Sequence, residues 1–399
     1  MSKIYIEWRK HKNIRPVELP NKEKIYMDLM NIEHSWSGRM DVWELGNTFI
    51  MEAEQMLINA IVLFEMGYFD SAYYSLRSAI DVATTIIFLS DMPEAERTEY
   101  IAAWKDTKDF PMQGQMVKLL AVKGAIFADM RVKMPDFFAH AKAVNARLNK
   151  YVHKQGLRYF YVSRNHIKNN RSQDTFIHNF EYHLKECIGI VAVMRLAIDP
   201  FPILLMDEEI LYRSFDGLTE PYSEDFVDEY VGEATLAAYK TTDLYSGTFE
   251  EFMKYEKKPP AVFDVTHNQY IDSSQMGVLL DNLSLMTQID VFAVLIVYAC
   301  AKVVKVYCYN GMHMYFTDGK SNRDRFELNG EDFTRFAGAE DKFNQPYDEA
   351  YISVFMVDGE PYFAEHNESL DLDDIGKISG FLIGALFKMR ETDCKNKSQ

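Results

Sequence analysis

Arg147, Asn149 and His153 lie within one short stretch, and these side-chain types suit one chemistry. A histidine that titrates near neutral pH can take the proton of an RNA 2′-hydroxyl. An arginine presents a planar fork that binds a phosphate and stabilises the charge that builds on it in the transition state. Asn149 can orient the histidine or the scissile phosphate. The 2′-hydroxyl is then the internal nucleophile, which favours RNA over DNA and asks for no metal or other cofactor. Lys150, Lys154 and Arg158 can hold further phosphates, and Tyr151, with Tyr159, Phe160 and Tyr161, offers rings on which unpaired bases stack.

The surroundings of this stretch are unusual for the chain. Residues 137–173 contain no Asp or Glu, but hold Lys142, Arg147, Lys150, Lys154, Arg158, Arg164, Lys168 and Arg171, with His140, His153 and His166 among them. The whole protein carries a formal charge of −17. Residues 1–200 have 26 Lys and Arg against 24 Asp and Glu, whereas residues 201–399 have 17 against 36. An acidic total disfavours non-specific nucleic-acid binding by the whole surface, but leaves room for a focused basic cleft. The acidic half can complement the basic window and cover it until a signal arrives. A plainer reading stands beside this one: the cations form a solvated face or pair with the acidic half, and the aromatic residues are core.

The elements that must position these residues are helical. Apolar residues at 3.6-residue spacing predict one helix over 48–66, stopped by Gly67, and a second over 72–89, capped by Asp70. Leu76, Ala79, Ile80, Ala83, Ile86 and Ile87 form the buried stripe of the second. Polar helix follows over 93–108, a short apolar one over 116–127, and a longer one from Pro135 to about Gln155, stopped by Gly156. On that last helix Asn149 and His153 share a face, while Arg147 and His153 lie about 120° apart. Another long helix runs over 174–198, and Asp199-Pro200-Phe201-Pro202 ends it. Arg77 and Asp81, four apart, read as an ordinary helix ion pair.

Beyond residue 202 the signals change. Residues 262–271 alternate like a strand, and residues 277–305 read as one long buried helix passing into a strand. Strand signals at 303–309, 311–317, 351–357 and 361–364 carry two Asp-Gly hairpin cues, Asp318-Gly319 and Asp358-Gly359. An amphipathic helix over 375–388 follows. The expected fold class is α+β: an all-α bundle followed by a mixed α+β domain.

Several function classes are disfavoured. The four cysteines, Cys187, Cys300, Cys308 and Cys394, form no metal-binding pattern, and a reduced cytoplasmic setting is expected. His178, His183 and Glu186 are spaced loosely enough that no metal site is expected from them. No phosphate-binding glycine loop, dinucleotide fingerprint, zinc-protease motif or nucleophile elbow occurs. The N-terminus lacks the apolar core of a signal peptide. The longest uncharged run near residue 300 covers residues 291–301, too short for a bilayer, which needs roughly 20 residues.

Residues 48–200 resemble the HEPN superfamily of small helical bundles found in bacterial toxin and phage-defence systems. Three features carry the resemblance: the hairpin from Leu57 through Gly67-Tyr68-Phe69-Asp70 to Leu76-Arg77 and Asp81; the Arg147-x5-His153 spacing, which fits that family's Arg-x4–6-His pattern; and the helix after it. The residue after the arginine, commonly polar in such proteins, is Leu148 here. The resemblance implies a metal-independent endoribonuclease with Arg147 and His153 as the catalytic pair. It also implies a homodimer and a role in defence or growth arrest, with an antitoxin or defence-system partner. The expected organisation is an extension over 1–47, a bundle over 48–202, and an acidic regulatory or sensing domain over 203–399. The expectation from another class is a non-catalytic interaction module that binds a nucleotide, an RNA or the acidic domain of a partner on the basic 137–173 face.

Overall fold

The computed structural model describes residues 3–4, 16–37, 39, 43–106, 109–160, 173–214 and 219–396. It divides into two compact units, Met1–Tyr255 and Glu256–Gln399. The first is helical and the second carries a six-stranded sheet, so the chain is α+β.

The helical unit is built from α1 (Lys22–Glu33), α2 (Trp43–Glu65), α3 (Phe69–Asp91), α4 (Glu94–Lys105), α5 (Gln113–Lys123), α6 (Ala125–Lys133), α7 (Pro135–Val152) and α8 (Gln173–Arg195). α2 and α3 form the expected hairpin, and α3 packs against α2, α7 and α8. Its stripe of Leu76, Ala79, Ile80, Ala83, Ile86 and Ile87 is buried. Gly67 makes the turn with φ +82°, which allows Tyr68 N–H to reach Leu63 O at 2.7 Å. Asp70 does not cap α3; it lies in the first turn and pairs with Lys154 instead. Phe64 on α2 stacks on Phe180 on α8 with centroids 3.8 Å apart.

Asp199-Pro200-Phe201-Pro202 is a corner within this unit, and the division of the chain falls more than fifty residues beyond it. Short helices follow: α9 (Phe201–Leu204), α10 (Glu208–Leu211), α11 (Glu224–Phe226), a π-helical turn (Val227–Val231), α12 (Glu233–Tyr239) and α13 (Asp243–Phe252). They bury Tyr222, Phe226, Tyr239 and Tyr245 in the same core as α2, α3 and α8. The prolines stop α8 because they cannot continue its hydrogen bonding, yet Pro202 suits the first turn of α9. Asp199 is buried against the fully covered Arg195 guanidinium, whose Nε donates to Ser35 O at 2.7 Å. Residues 201–255 hold 3 Lys and Arg against 13 Asp and Glu, so much of the acidic excess belongs to the helical unit itself. Lys133 pairs with Asp243 and Lys185 with Glu229.

One buried carboxyl gives this unit a pH dependence. Glu54 on α2 is pushed up to about 7 by burial, with the Glu33 carboxylate adding to it. The folded protein therefore holds a proton that the unfolded chain releases in the usual carboxylate range. Stability contributed here is greatest at low pH and is lost as pH rises from that range through about 7. Glu54→Gln is expected to melt higher than wild type at pH 8, by on the order of a few °C, and level with it at pH 5. Thermal melts at the two pH values check this; a variant that is no more stable at pH 8 contradicts it.

The sheet unit contains α14 (Pro260–Asn268), β1 (Tyr270–Ile271), α15 (Met276–Asp281), α16 (Gln288–Ala299), β2 (Val303–Cys308), β3 (His313–Thr317), α17 (Gly330–Gly338), β4 (Gln345–Tyr347), β5 (Ala350–Val357), β6 (Glu360–His366) and α18 (Leu372–Asn396). The strand order is β1-β3-β2-β6-β5-β4; β1 and β3 are parallel and the other neighbours antiparallel. Alternate residues point to opposite faces. Val306, Cys308, Phe355, Val357 and Ala364 pack with α16 and α18, whereas Tyr307, Ile352, Val354 and Phe363 pack with α17. The segment expected as a strand over 262–271 is mostly α14, because Val262, Val265 and Thr266 at helical spacing are the buried residues. The expected long helix over 277–305 is broken. Thr287 and Asp290 form a capping box that starts α16 afresh.

Candidate functional site

The C-terminal half of α7 holds the residues singled out from sequence. Val144, Leu148 and Tyr151 are its buried face. α7 ends at Val152, three residues short of expectation. His153 is the C-cap, Lys154 takes a left-handed conformation (φ +52°), and Gln155 N–H donates to Lys150 O at 3.0 Å. This is a Schellman closure with lysine where glycine is usual. The Lys154–Asp70 ion pair ties that strained position to α3.

The three expected catalytic side chains leave α7 on three sides. Arg147 is half-buried on the α8 flank, where its Nη2 donates to the Tyr182 hydroxyl at 2.9 Å. Asn149 lies on the α3 flank and accepts from Arg77 Nε at 3.0 Å. His153 is exposed, and its imidazole makes no hydrogen bond or ion pair with the described residues. The structure therefore places Arg147, Asn149 and His153 on one helix end without bringing their functional atoms together. Arg77 also pairs with Asp81, as the four-residue spacing predicts.

The expected phosphate and base contacts divide. Lys150 and Lys142 are exposed and make no ion pair among the described residues. Arg158 is exposed and lies over the Tyr159 ring, 4.8 Å from its centroid. Lys154 is taken up by Asp70. Tyr151 is not a stacking platform: it is 7% exposed and stacks on Tyr73 of α3 with centroids 4.0 Å apart. It sits at 148 + 3 on the face that carries Leu148, so the core claims it. Tyr159 is also buried, whereas Phe160 is exposed. Tyr161, Arg164, His166, Lys168 and Arg171 lie outside the described residues.

Sequence reasoning missed what Arg147 meets. Tyr182 is 39% exposed, and its hydroxyl lies between Arg147 and the Glu186 carboxylate. Burial and the Glu186 charge hold that hydroxyl above its ordinary range, so it stays protonated. Next to it, His183 is 4% exposed. Its Nδ1–H donates to Asn179 O at 2.5 Å, which fixes the tautomer and leaves the lone pair on Nε2. Its ring packs edge-on against Tyr73, Tyr151 and Tyr182. Burial, with the nearby Arg147 charge, holds His183 below the ordinary imidazole range. Phe176, Phe180, His183 and Cys187 are all buried, so a histidine occupying an apolar stripe position was the available signal.

α8 also borders two grooves, of about 350 and 370 Å³. His178, Glu181 and Tyr182 line one; His140, Glu186 and Gly189 line the other; Lys185, Glu229 and Tyr230 are common to both. Gly189 is required where α8 meets the π-helical turn, because a Cβ there would lie 2.1 Å from Tyr230 O. Among the described residues, no three His, Cys, Asp or Glu side chains converge as metal ligands. Nor, among them, is any helix long and apolar enough to cross a membrane. Comparison with known protein families, curated proteins and solved structures finds no match to this chain.

Proposed function

We propose that the helical unit is a metal-independent endoribonuclease of the HEPN type, acting in bacterial defence or growth arrest. One observation carries the reading. The end of α7 presents a half-buried Arg147 and an exposed His153 that makes no hydrogen bond or ion pair with the described residues, in a bundle whose α2–α3 hairpin and α8 come in the order the resemblance implies. In this reading Arg147 holds the scissile phosphate. His153 takes the proton of the 2′-hydroxyl, whose oxygen attacks phosphorus as the bond to the 5′-oxygen breaks. Lys150 and Arg158 hold flanking phosphates. Because Arg147 and His153 diverge on one helix, the complete pair is assembled on RNA that wraps the helix end or across two copies of the chain.

That divergence also favours a second reading, a non-catalytic RNA-binding module using the same basic face. Its affinity would fall steeply with salt, as phosphate contacts require. Expression of wild type and His153→Ala in a bacterial host separates the two. The ribonuclease reading expects growth arrest and fragmented total RNA from wild type alone. Fragmentation by His153→Ala equal to wild type removes His153 from the chemistry. Binding without fragmentation by either leaves the binding module.

A further inference from the structure

At the α7–α8 seam three buried polar side-chain atoms, one each on Asn145, Arg147 and His183, have no hydrogen-bond partner among the described residues, and two of these atoms are chemically complementary. Arg147 Nε–H is a buried donor without an acceptor. His183 Nε2 is a buried acceptor without a donor. Groups of this kind are rare because each forfeits the hydrogen bonds it made in water. The two side chains are neighbours. Arg147 lies 5.4 Å from the centroid of the Tyr182 ring, and the Tyr182 and His183 rings are 5.3 Å apart. His183 also touches Tyr151, one helical turn beyond Arg147 on α7. The tautomer is set for acceptance, since Nδ1–H is already committed to Asn179 O.

We propose that Arg147 has two seats on α8: it rests on the Tyr182 hydroxyl, and when a phosphodiester takes its outer N–H groups it turns its Nε–H onto His183 Nε2. His183 is thus a positioning residue for Arg147, and this role rests on the ribonuclease or RNA-binding reading of the helix end. The resting bond to Tyr182 uses only Nη2, so it breaks without disturbing α7. The engaged seat uses both orphaned atoms and aims the free edge of the guanidinium outward. A bidentate arginine fixed at Nε binds a phosphate with less loss of side-chain freedom than a loose one. Keeping the imidazole neutral is what the site requires, and the buried position of His183 beside Arg147 does that.

The test uses the full chain and a fluorescein-labelled 20-nucleotide single-stranded RNA. His183→Phe fills the same space without an acceptor, and His183→Gln restores an acceptor at the position of Nε2. The expected result is about tenfold weaker binding for His183→Phe and recovery to within about threefold of wild type for His183→Gln. Thermal melts confirm that each variant folds. If His183→Phe binds as wild type does while Arg147→Ala does not, the positioning role is wrong and the RNA reading stands. If His183→Gln is as weak as His183→Phe with both folded, acceptance at Nε2 is wrong. Wild type that takes no RNA, and is unaltered by Arg147→Ala, overturns the RNA reading and this role with it.

Discussion

Arg147→Ala should lower RNA cleavage by about 10²–10³-fold while leaving the helical unit folded. The magnitude is that of losing one preorganised donor to the charge that develops on a transferring phosphate. Arg147 is half-buried and, among the described residues, shares one hydrogen bond with its surroundings, to Tyr182. Its removal therefore costs little packing, because Val144, Leu148 and Tyr151 hold α7 to the core. Arg147→Lys keeps the charge but not the fork or the Nε–H, and should recover only a small part of the activity. Cleavage rates beside circular dichroism spectra decide the matter. Activity within threefold of wild type in a folded Arg147→Ala would remove the arginine from the chemistry.

The second large effect lies in the sheet unit and concerns stability. Glu365 on β6 is fully buried and accepts from Lys305 Nζ at 3.1 Å, Tyr307 Oη at 2.8 Å and Arg323 Nη2 at 3.0 Å, and from the Ser321 hydroxyl. Arg323 is itself fully covered, with its guanidinium over the Tyr347 ring. Burial and the Glu365 carboxylate hold the Tyr307 hydroxyl far above its ordinary range, so it remains a donor. Glu365→Ala leaves two buried cations with no carboxylate between them. The expected cost is about 3–5 kcal/mol, enough to lower the melting temperature of this unit by on the order of 10 °C. Glu365→Gln keeps the shape and loses the charge, and should fall between. Thermal melts that place Glu365→Ala within 2 °C of wild type, a gap far below the predicted range, would mean the cations find other partners.

What could be read from sequence follows from how local each signal is. The α2–α3 hairpin was legible because Gly67 and the Leu76 to Ile87 stripe state turn and core in one place. The β5–β6 hairpin was legible for the same reason: Asp358 and Gly359 both take positive φ, as a tight two-residue turn demands. Asp318-Gly319 misled. The β2–β3 turn uses Tyr309, Asn310 and Gly311, all at positive φ, and Asp318 instead accepts from Ser273. The boundary at Pro202 misled because a proline stops a helix without ending a core, and burial of Tyr222, Phe226 and Tyr239 is a long-range fact. At the site, the placement of Arg147, Asn149 and His153 on one helix end was readable from spacing. Their divergence, the loss of Tyr151 to the core, and the seat of Arg147 on the Tyr182 hydroxyl were not. Those depend on which flank of α7 meets α3 and which meets α8, and no single-sequence signal fixes that.

The reaction itself gives the most direct test. The full chain would be incubated, in excess EDTA, with a single-stranded RNA that carries one 2′-deoxy position inside a cleaved sequence. Proton removal from the 2′-hydroxyl and attack of its oxygen on phosphorus predict fragments ending in a 2′,3′-cyclic phosphate and a free 5′-hydroxyl. They predict no cut after the 2′-deoxy residue. Cleavage that EDTA abolishes, or that proceeds past the missing hydroxyl, would contradict a metal-independent ribonuclease built on Arg147 and His153.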